Sequence, residues 1–318
     1  LQMDQVKLRK VTIAKKLWNG LMNEWEIKAS YQRDGYVAVE DIINDRELAP
    51  IREFITGRVD DFAREEHAAG RLASRYEDES FGRRYAAICQ EQGIAPRGWG
   101  LGSFGRQFYD LYTLPGVLRV LRLILGPEVS NIGSPALRTK LPGSVVTSFP
   151  WHQDSQYVDQ SQVGVKEKHT GGLHMVTVWV PLVAATVENG CCWVLPGSHR
   201  WGLLDGARGE DMNVRMEEDI ESRGTPTPVP LEPGSALFMS NLCVHTSKLN
   251  TTDECRWSID YRYFPTPGRA ALAADELAAA EFVRDKVIGG KTAPLVVLSE
   301  GHVPGWEEWE AEVRALRA

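Results

Sequence analysis

A histidine and a carboxylate stand two residues apart near the middle of the chain, in the stretch Trp151-His152-Gln153-Asp154. In an extended segment, residues two apart project to the same side, so the side chains of His152 and Asp154 can converge on one point. Imidazole nitrogens and carboxylate oxygens both bind divalent transition metals. The tripeptide alone is also compatible with a surface turn, so a metal site requires a further ligand.

A second histidine, His245, supplies that ligand. It lies 93 residues after His152, within the stretch Asn241-Leu242-Cys243-Val244-His245-Thr246-Ser247, and follows an apolar run. Two imidazoles and one carboxylate, with the other coordination positions open, form the facial triad of non-haem iron(II) oxygenases. Although His245 alone is also compatible with a core histidine, we predict that His152, Asp154 and His245 bind Fe(II).

An arginine follows His245 by eleven residues, at the start of a strand-like stretch. Alternation in this stretch places two sets of side chains on opposite faces: Trp257, Ile259, Tyr261 and Tyr263 on one, and Arg256, Ser258, Asp260 and Arg262 on the other. A guanidinium group binds a carboxylate through two parallel hydrogen bonds, as the distal carboxylate of 2-oxoglutarate requires. The alternative is a solvated Arg256 paired with Asp260.

Several motifs occur together in this sequence, and their combination is more specific than any one of them. They are Tyr31-Gln32-Arg33-Asp34-Gly35-Tyr36-Val37, His152-Gln153-Asp154, Asn189-Gly190, Val194-Leu195-Pro196-Gly197-Ser198-His199, Pro233-Gly234, and the single residues His245, Ser247, Asn250 and Arg256. In this combination the chain resembles the phytanoyl-CoA dioxygenase-like family of Fe(II)/2-oxoglutarate-dependent oxygenases, from about residue 30 to about residue 265.

The resemblance implies a double-stranded β-helix core, Fe(II) as cofactor, and 2-oxoglutarate and O2 as cosubstrates. It implies that His152, Asp154 and His245 are the metal ligands and that Arg256 anchors 2-oxoglutarate. The hydroxyl of Ser247 would assist Arg256, and Lys140 is a further candidate for 2-oxoglutarate contact. His199 would be structural or associated with a lid.

The retained carboxylate bears on the reaction. Halogenases of this chemical class replace it with a small residue, so Asp154 favours hydroxylation or another oxidative outcome, such as desaturation, cyclisation or epimerisation. We expect hydroxylation of an unactivated C–H bond in a small organic substrate, with formation of succinate and CO2. Aromatic and amide groups beside a metal suit such a substrate. The predicted pocket-lining residues are Trp151, Gln153, Tyr157, Trp179 and Tyr263.

The elements that must position these residues change along the chain. The sequence predicts one oxygenase domain over 1–318, mainly β with flanking helices: a helix-rich layer over 1–125, a jelly-roll (cupin-like) core over 126–265 with an insertion or lid at 202–230, and C-terminal helices over 266–318. Helical periodicity covers Val6–Trp18, Asp45–Glu66, Ser74–Gln92, Gly116–Leu125, Ala270–Val287 and Gly305–Arg317. Strand-like runs cover Tyr36–Val39, Ala136–Leu141, Leu173–Val183, Cys192–Leu195, Ala236–Met239 and Arg256–Phe264.

Composition restricts the partners. The net charge of −7 and the scattered basic residues give no electrostatic footprint for nucleic acid. We find no stretch apolar enough for a membrane span or a signal peptide. The five cysteines form no C-x-x-C pair, which favours a reducing, cytoplasmic setting. We therefore expect a monomer or homodimer that acts on a small molecule.

Two other functions are compatible with the metal ligands. A metal-dependent hydrolase could use the same histidines and aspartate around an activated water, and it would not need Arg256. A non-catalytic barrel-type binding protein could retain the metal without turnover.

Overall fold

A computed structural model of the chain describes residues 22–93, 105–131, 135–159, 175–211, 213–265, 295–298 and 302–317. The helices in these ranges are α1 Met22–Asp34, α2 Asp45–Ala68, α3 Arg83–Gln92, α4 Arg106–Tyr112, α5 Pro115–Leu125, α6 Asp154–Asp159 and α7 Trp306–Arg317. The strands are β1 Tyr36–Val39, β2 Val129–Asn131, β3 Ala136–Lys140, β4 Phe149–His152, β5 Val176–Pro181, β6 Cys192–Val194, β7 Gly206–Arg208, β8 Val214–Met216, β9 Thr227–Val229, β10 Ala236–Ser240, β11 His245–Ser247, β12 Arg256–Pro265 and β13 Leu295–Leu298.

Two antiparallel sheets form the core. The larger sheet has the strand order β1-β10-β5-β12-β2-β13, and β3 also pairs with β12. The smaller sheet has the order β4-β11-β6-β9, while β7 and β8 form a separate two-stranded ribbon. The predicted fold, a jelly-roll core with flanking helices, is confirmed.

The outer face of the larger sheet packs against the helices. Strand β12 buries the four aromatic and aliphatic side chains that alternation placed on one face, and they join one hydrophobic cluster with residues of α2, α3, α4 and α5. Helix α2 begins with a capping box, in which Asn44 accepts from the backbone of Glu47 and Glu47 accepts from the backbone of Asn44. Burial of this face fixes the direction of the opposite, polar face of β12.

The inner faces of the two sheets pack on each other at one end. Their shared cluster includes Trp179, Leu237 and Met239 from the larger sheet and Cys192 and Val194 from the smaller one. The polar face of β12 lies beside this cluster, between the sheets, and the candidate site is formed there.

Some predicted elements differ from the structure. The segment Ser74–Gln92 is helical only from Arg83, and residues 74–82 form turns and irregular backbone. The 202–230 segment, predicted to be an insertion or lid, contains β7, β8 and β9, and Ile220 is buried against Leu195 and Val244. The predicted helices Val6–Trp18 and Ala270–Val287 lie outside the described residues.

His199 has a packing role. A Cβ added at Gly35, whose φ is +79°, would lie 2.4 Å from Nδ1 of His199, so the imidazole requires a glycine there. Nε2 of His199 lies 3.2 Å from the carbonyl oxygen of Gln32. The imidazole therefore joins the turn after β6 to the end of α1.

Within the described residues, no helix combines the length and the apolar composition that a membrane span requires.

Candidate active site

The two histidines of the predicted metal site are direct partners across the smaller sheet. His152 ends β4, His245 begins β11, and the two are paired in the antiparallel register. Side chains of such partners project from the same face of a sheet. Their ring centroids are accordingly 4.1 Å apart, and both residues are buried.

The two imidazoles are oriented in the same way. Nδ1 of His152 lies 2.8 Å from the carbonyl oxygen of Pro150, and Nδ1 of His245 lies 2.9 Å from that of Cys243. Because a carbonyl only accepts, each Nδ1 carries the proton. Nε2 is then the ring nitrogen that each histidine offers to a metal, because the other nitrogen of a metal-binding histidine usually donates to a carbonyl or carboxylate.

The carboxylate of Asp154 lies beside the two histidines, but Asp154 belongs to a different element from the predicted one. The prediction that His152 and Asp154 share an extended segment is wrong, because the strand ends at His152 and Asp154 is the first residue of α6. The turn from strand to helix still brings the carboxylate to the histidines. One ligand atom from each of His152, Asp154 and His245 lies within 4.8 Å of the other two.

Protonation of these groups suits a divalent metal. Burial and the neighbouring His245 lower the pKa of His152 to about 3, so this imidazole is neutral at neutral pH. Burial raises the pKa of Asp154, but Arg262, the two histidines and Thr177 outweigh it and hold the pKa below its usual value. Metal ligands must be deprotonated. Two imidazoles and a carboxylate fit Fe(II).

Arg256 is a buried cation between the two sheets. Its guanidinium donates to Ser258 at 2.5 Å and to Ser247 at 3.1 Å, and it lies over the ring of Trp179 at 5.3 Å. Nε has no hydrogen-bond partner, and among the described residues no carboxylate lies within ion-pair distance of Arg256. An unpaired buried charge is costly, so this cation suits an anionic ligand.

Lys140 is a second buried cation beside Arg256. The two residues are register partners on β3 and β12. Nζ of Lys140 donates to the carbonyl oxygens of Thr147, at 2.9 Å, and Ser247, at 3.0 Å. Gly190, at φ +78°, makes room for this side chain, because an added Cβ would lie 2.4 Å from Cε of Lys140. The Asn-Gly motif thus shapes the pocket around a lysine.

A cavity of about 180 Å³ connects these groups. Its walls include His152, Asp154, His245, Arg256, Ser247 and Lys140. Trp179 also lines it, as predicted for a substrate residue. The other four predicted lining residues are not among its walls, although the ring of Tyr157 packs edge-on against that of His152 at 5.4 Å. Tyr263 is in the core, where its hydroxyl donates to the carbonyl oxygen of Tyr112 at 2.5 Å.

The remaining three residues hold the 202–221 segment. Gln153 is fully buried and donates to the carbonyl oxygens of Gly202 and Leu242, each at 2.8 Å, and it accepts from the backbone of Leu204. The hydroxyl of Tyr157 accepts from the backbone of Val214 at 3.2 Å. Likewise, Nε1 of Trp151 donates to Glu221 at 2.9 Å. The segment that carries two candidate ligands thus also anchors the insertion.

Arg262 is a site residue that the sequence analysis did not select. It donates to Asp154 at 2.9 Å and to Asp260 at 3.1 Å. Asp260 also pairs with Arg138 at 2.7 Å, and Arg138 stacks over the ring of Phe149 at the cavity wall. The sequence did contain a signal that Arg262 faces the site, because alternation placed Arg262 on the same face of the strand as Arg256.

A jelly-roll core that brings two histidines and one carboxylate within reach of a single ion, beside a buried arginine, defines an Fe(II)- and 2-oxoglutarate-dependent oxygenase. Fe(II) is the cofactor of this class, and 2-oxoglutarate and O2 are its cosubstrates. The chain belongs to the phytanoyl-CoA dioxygenase family: the family profile described as Phytanoyl-CoA dioxygenase (PhyH) matches residues 31–258. The resemblance inferred from the motifs is confirmed.

Individual relatives agree with this family. The chain is 23% identical to the phytanoyl-CoA dioxygenase domain-containing protein 1 homolog of Caenorhabditis elegans over 281 residues, which cover 73% of this chain and 88% of that protein. It is 34% identical to methylphosphonate hydroxylase of Gimesia maris over 111 residues, 35% of this chain and 38% of that protein. The crystal structure of EvdO2 from Micromonospora carbonacea var. aurantiaca, complexed with 2-oxoglutarate, has a TM-score of 0.50 at 17% identity and covers 79% of this chain and 95% of that chain. This last similarity supports the fold.

Proposed function

We propose that the protein hydroxylates an unactivated C–H bond of a small organic substrate, with His152, Asp154 and His245 as the Fe(II) ligands. When bound, the iron supplies the activation of O2 that couples substrate oxidation to the conversion of 2-oxoglutarate into succinate and CO2. The retained Asp154 supports hydroxylation over halogenation. The similarity to a methylphosphonate hydroxylase supports the same outcome.

The proposal depends on Arg256, because a buried arginine with no acidic partner among the described residues distinguishes this site from that of a metal hydrolase. We assign it the distal carboxylate of 2-oxoglutarate. The hydroxyl of Ser247 donates to the carbonyl oxygen of Gly190 at 3.0 Å and accepts from Arg256, so it fixes the direction of the guanidinium. Lys140 adds a second positive charge on the same wall. Preorganised donors of this kind bind a carboxylate without reorganisation.

The direct test is anaerobic addition of Fe(II) and 2-oxoglutarate to the purified protein. An oxygenase of this class is expected to give a visible metal-to-ligand charge-transfer band at roughly 500 nm. Admission of air in the presence of a substrate should then release one succinate for each hydroxylated product. Folded protein that gives no band would contradict the oxygenase and favour the hydrolase or the non-catalytic binding protein.

The affinity for 2-oxoglutarate should depend on pH through Lys140. Burial, together with Arg256, lowers the pKa of Lys140 to about 7. The ammonium form attracts a carboxylate and the neutral amine does not, so the affinity should be highest below this pKa and fall as the pH rises through it. We expect a several-fold weaker 2-oxoglutarate complex at about pH 8 than at about pH 6, measured from the charge-transfer band.

The Lys140→Met variant is the control for this pH dependence. It removes the titrating group but keeps an unbranched side chain in the space beside Gly190. The variant should bind 2-oxoglutarate more weakly at the lower pH, with an affinity that is nearly constant between the two values. A variant that keeps the pH dependence of the wild-type protein would show that another group titrates.

A further inference from the structure

The carboxylate of Asp154 is bound on both oxygens by residues of the opposite sheet. Arg262 donates to Oδ1 at 2.9 Å, and the hydroxyl of Thr177 donates to Oδ2. Arg262 and Thr177 are direct register partners on β12 and β5, so their side chains leave the larger sheet side by side. Arg262 and Thr177 therefore hold the carboxylate at both of its oxygens, and we call these two residues the clamp.

Each of the two sheets fixes a part of the candidate metal site. His152 and His245 are fixed by the smaller sheet, through their pairing on β4 and β11. Asp154 stands on the short helix α6, and the donors to its carboxylate come from the larger sheet. A carboxylate oxygen has more than one lone pair, so a hydrogen bond at each oxygen still leaves a lone pair for a metal.

We infer that Arg262 and Thr177 are positioning residues for the metal site: they fix the plane of the Asp154 carboxylate so that it faces the two imidazoles. Asp260 completes the arrangement, because it accepts from Arg262 at 3.1 Å and from Arg138 at 2.7 Å and so holds Arg262 from the far side. The inference rests on the proposed metal ligands.

Charge and positioning predict opposite effects when Arg262 is removed. A cation near a divalent metal repels it, so loss of the guanidinium by charge alone should strengthen Fe(II) binding. Loss of an outer partner that orients a ligand weakens metal binding, by roughly 10–100-fold in known sites. The direction of the change therefore distinguishes a positioning residue from a nearby charge.

The experiment is anaerobic Fe(II) titration of the wild type and of the Arg262→Gln, Arg262→Lys and Thr177→Val variants against a chromogenic chelator. We expect Arg262→Gln to weaken Fe(II) binding by roughly tenfold or more and to shift or broaden the charge-transfer band formed with 2-oxoglutarate. Arg262→Lys should recover part of the affinity, because one donor remains. Fe(II) binding by Arg262→Gln as tight as, or tighter than, that of the wild type would overturn the inference.

Two variants separate the clamp from stability and charge. Thr177→Val is nearly isosteric and neutral, so it removes one donor without changing the charge and tests the clamp even if Arg262→Gln does not fold. It should also weaken Fe(II) binding, and an unchanged affinity would count against the clamp. Arg84→Gln removes a cation that pairs with Asp60 away from the cavity, so Fe(II) binding should be unchanged. An equal loss in Arg84→Gln would assign the effect to lost stability or net charge instead of the clamp.

The proposed function and the clamp fail in different ways. If the wild-type protein gives no band with Fe(II) and 2-oxoglutarate, the proposed function is wrong. If the wild type gives the band and the Arg262 and Thr177 variants match it in affinity and spectrum, the proposed function stands and the clamp is wrong.

Discussion

The His245→Ala variant is expected to lose Fe(II) binding and, with it, the turnover of 2-oxoglutarate. Two imidazoles and one carboxylate form the proposed site among the described residues, and His245 is buried, with its ring 4.1 Å from that of His152. Loss of an outer partner of a metal ligand weakens binding by roughly 10–100-fold, so loss of a ligand itself should exceed ~100-fold. Anaerobic Fe(II) titration and succinate formation measure both effects.

His199→Ala is the matched control for this prediction. His199 also ends a family motif, but its imidazole contacts Gly35 and the carbonyl oxygen of Gln32. The variant should keep one equivalent of Fe(II) and the charge-transfer band, even if it unfolds at a lower temperature. Loss of iron from His199→Ala, with retention in His245→Ala, would reverse the assignment of the two histidines.

The Arg256→Met variant should weaken 2-oxoglutarate binding by roughly 30- to 4,000-fold, because removal of one partner of a buried charged pair costs about 2–5 kcal/mol. Fe(II) binding should be retained, since Arg256 does not contact the three candidate ligands. Without 2-oxoglutarate, the variant should unfold at the same or a higher temperature than the wild type. The reason is that it replaces a buried cation that has no acidic partner among the described residues with an apolar side chain of similar length.

Three measurements check this combination: the KM for 2-oxoglutarate, the Fe(II) affinity and the thermal unfolding temperature. Arg84→Gln is the control, because Arg84 is also mostly buried but pairs with Asp60 away from the cavity. It should leave the KM for 2-oxoglutarate unchanged. If Arg256→Met leaves that KM within about threefold, another residue must bind the distal carboxylate.

The sequence was sufficient for the parts of the fold that rest on periodicity. The alternation of β12 predicted its buried aromatic face and its polar face, and the structure places Trp257 in the core and Arg256 in the cavity. The same alternation also placed Tyr263 on the buried face. It therefore already argued against Tyr263 as a substrate residue.

Other features depend on pairing between distant segments, which periodicity does not specify. The contact between Thr177 and Arg262 follows from the register of β5 with β12, and the pairing of His152 with His245 follows from the register of β4 with β11. The turn that makes Asp154 the first residue of α6 is also absent from the pattern. The motifs pointed to the candidate ligands without this geometry, because a family resemblance compares residue types and not positions in space.

The contacts between residues 151–157, which carry two candidate ligands, and the 202–221 segment also affect which sequence changes the enzyme can accumulate during evolution. Gln153 and Tyr157 bind this segment through main-chain atoms of Gly202, Leu204 and Val214. Main-chain contacts survive most side-chain replacements. Substitutions along this part of the insertion can therefore change the outer surface of the protein while the support of the candidate ligand segment is inherited unchanged.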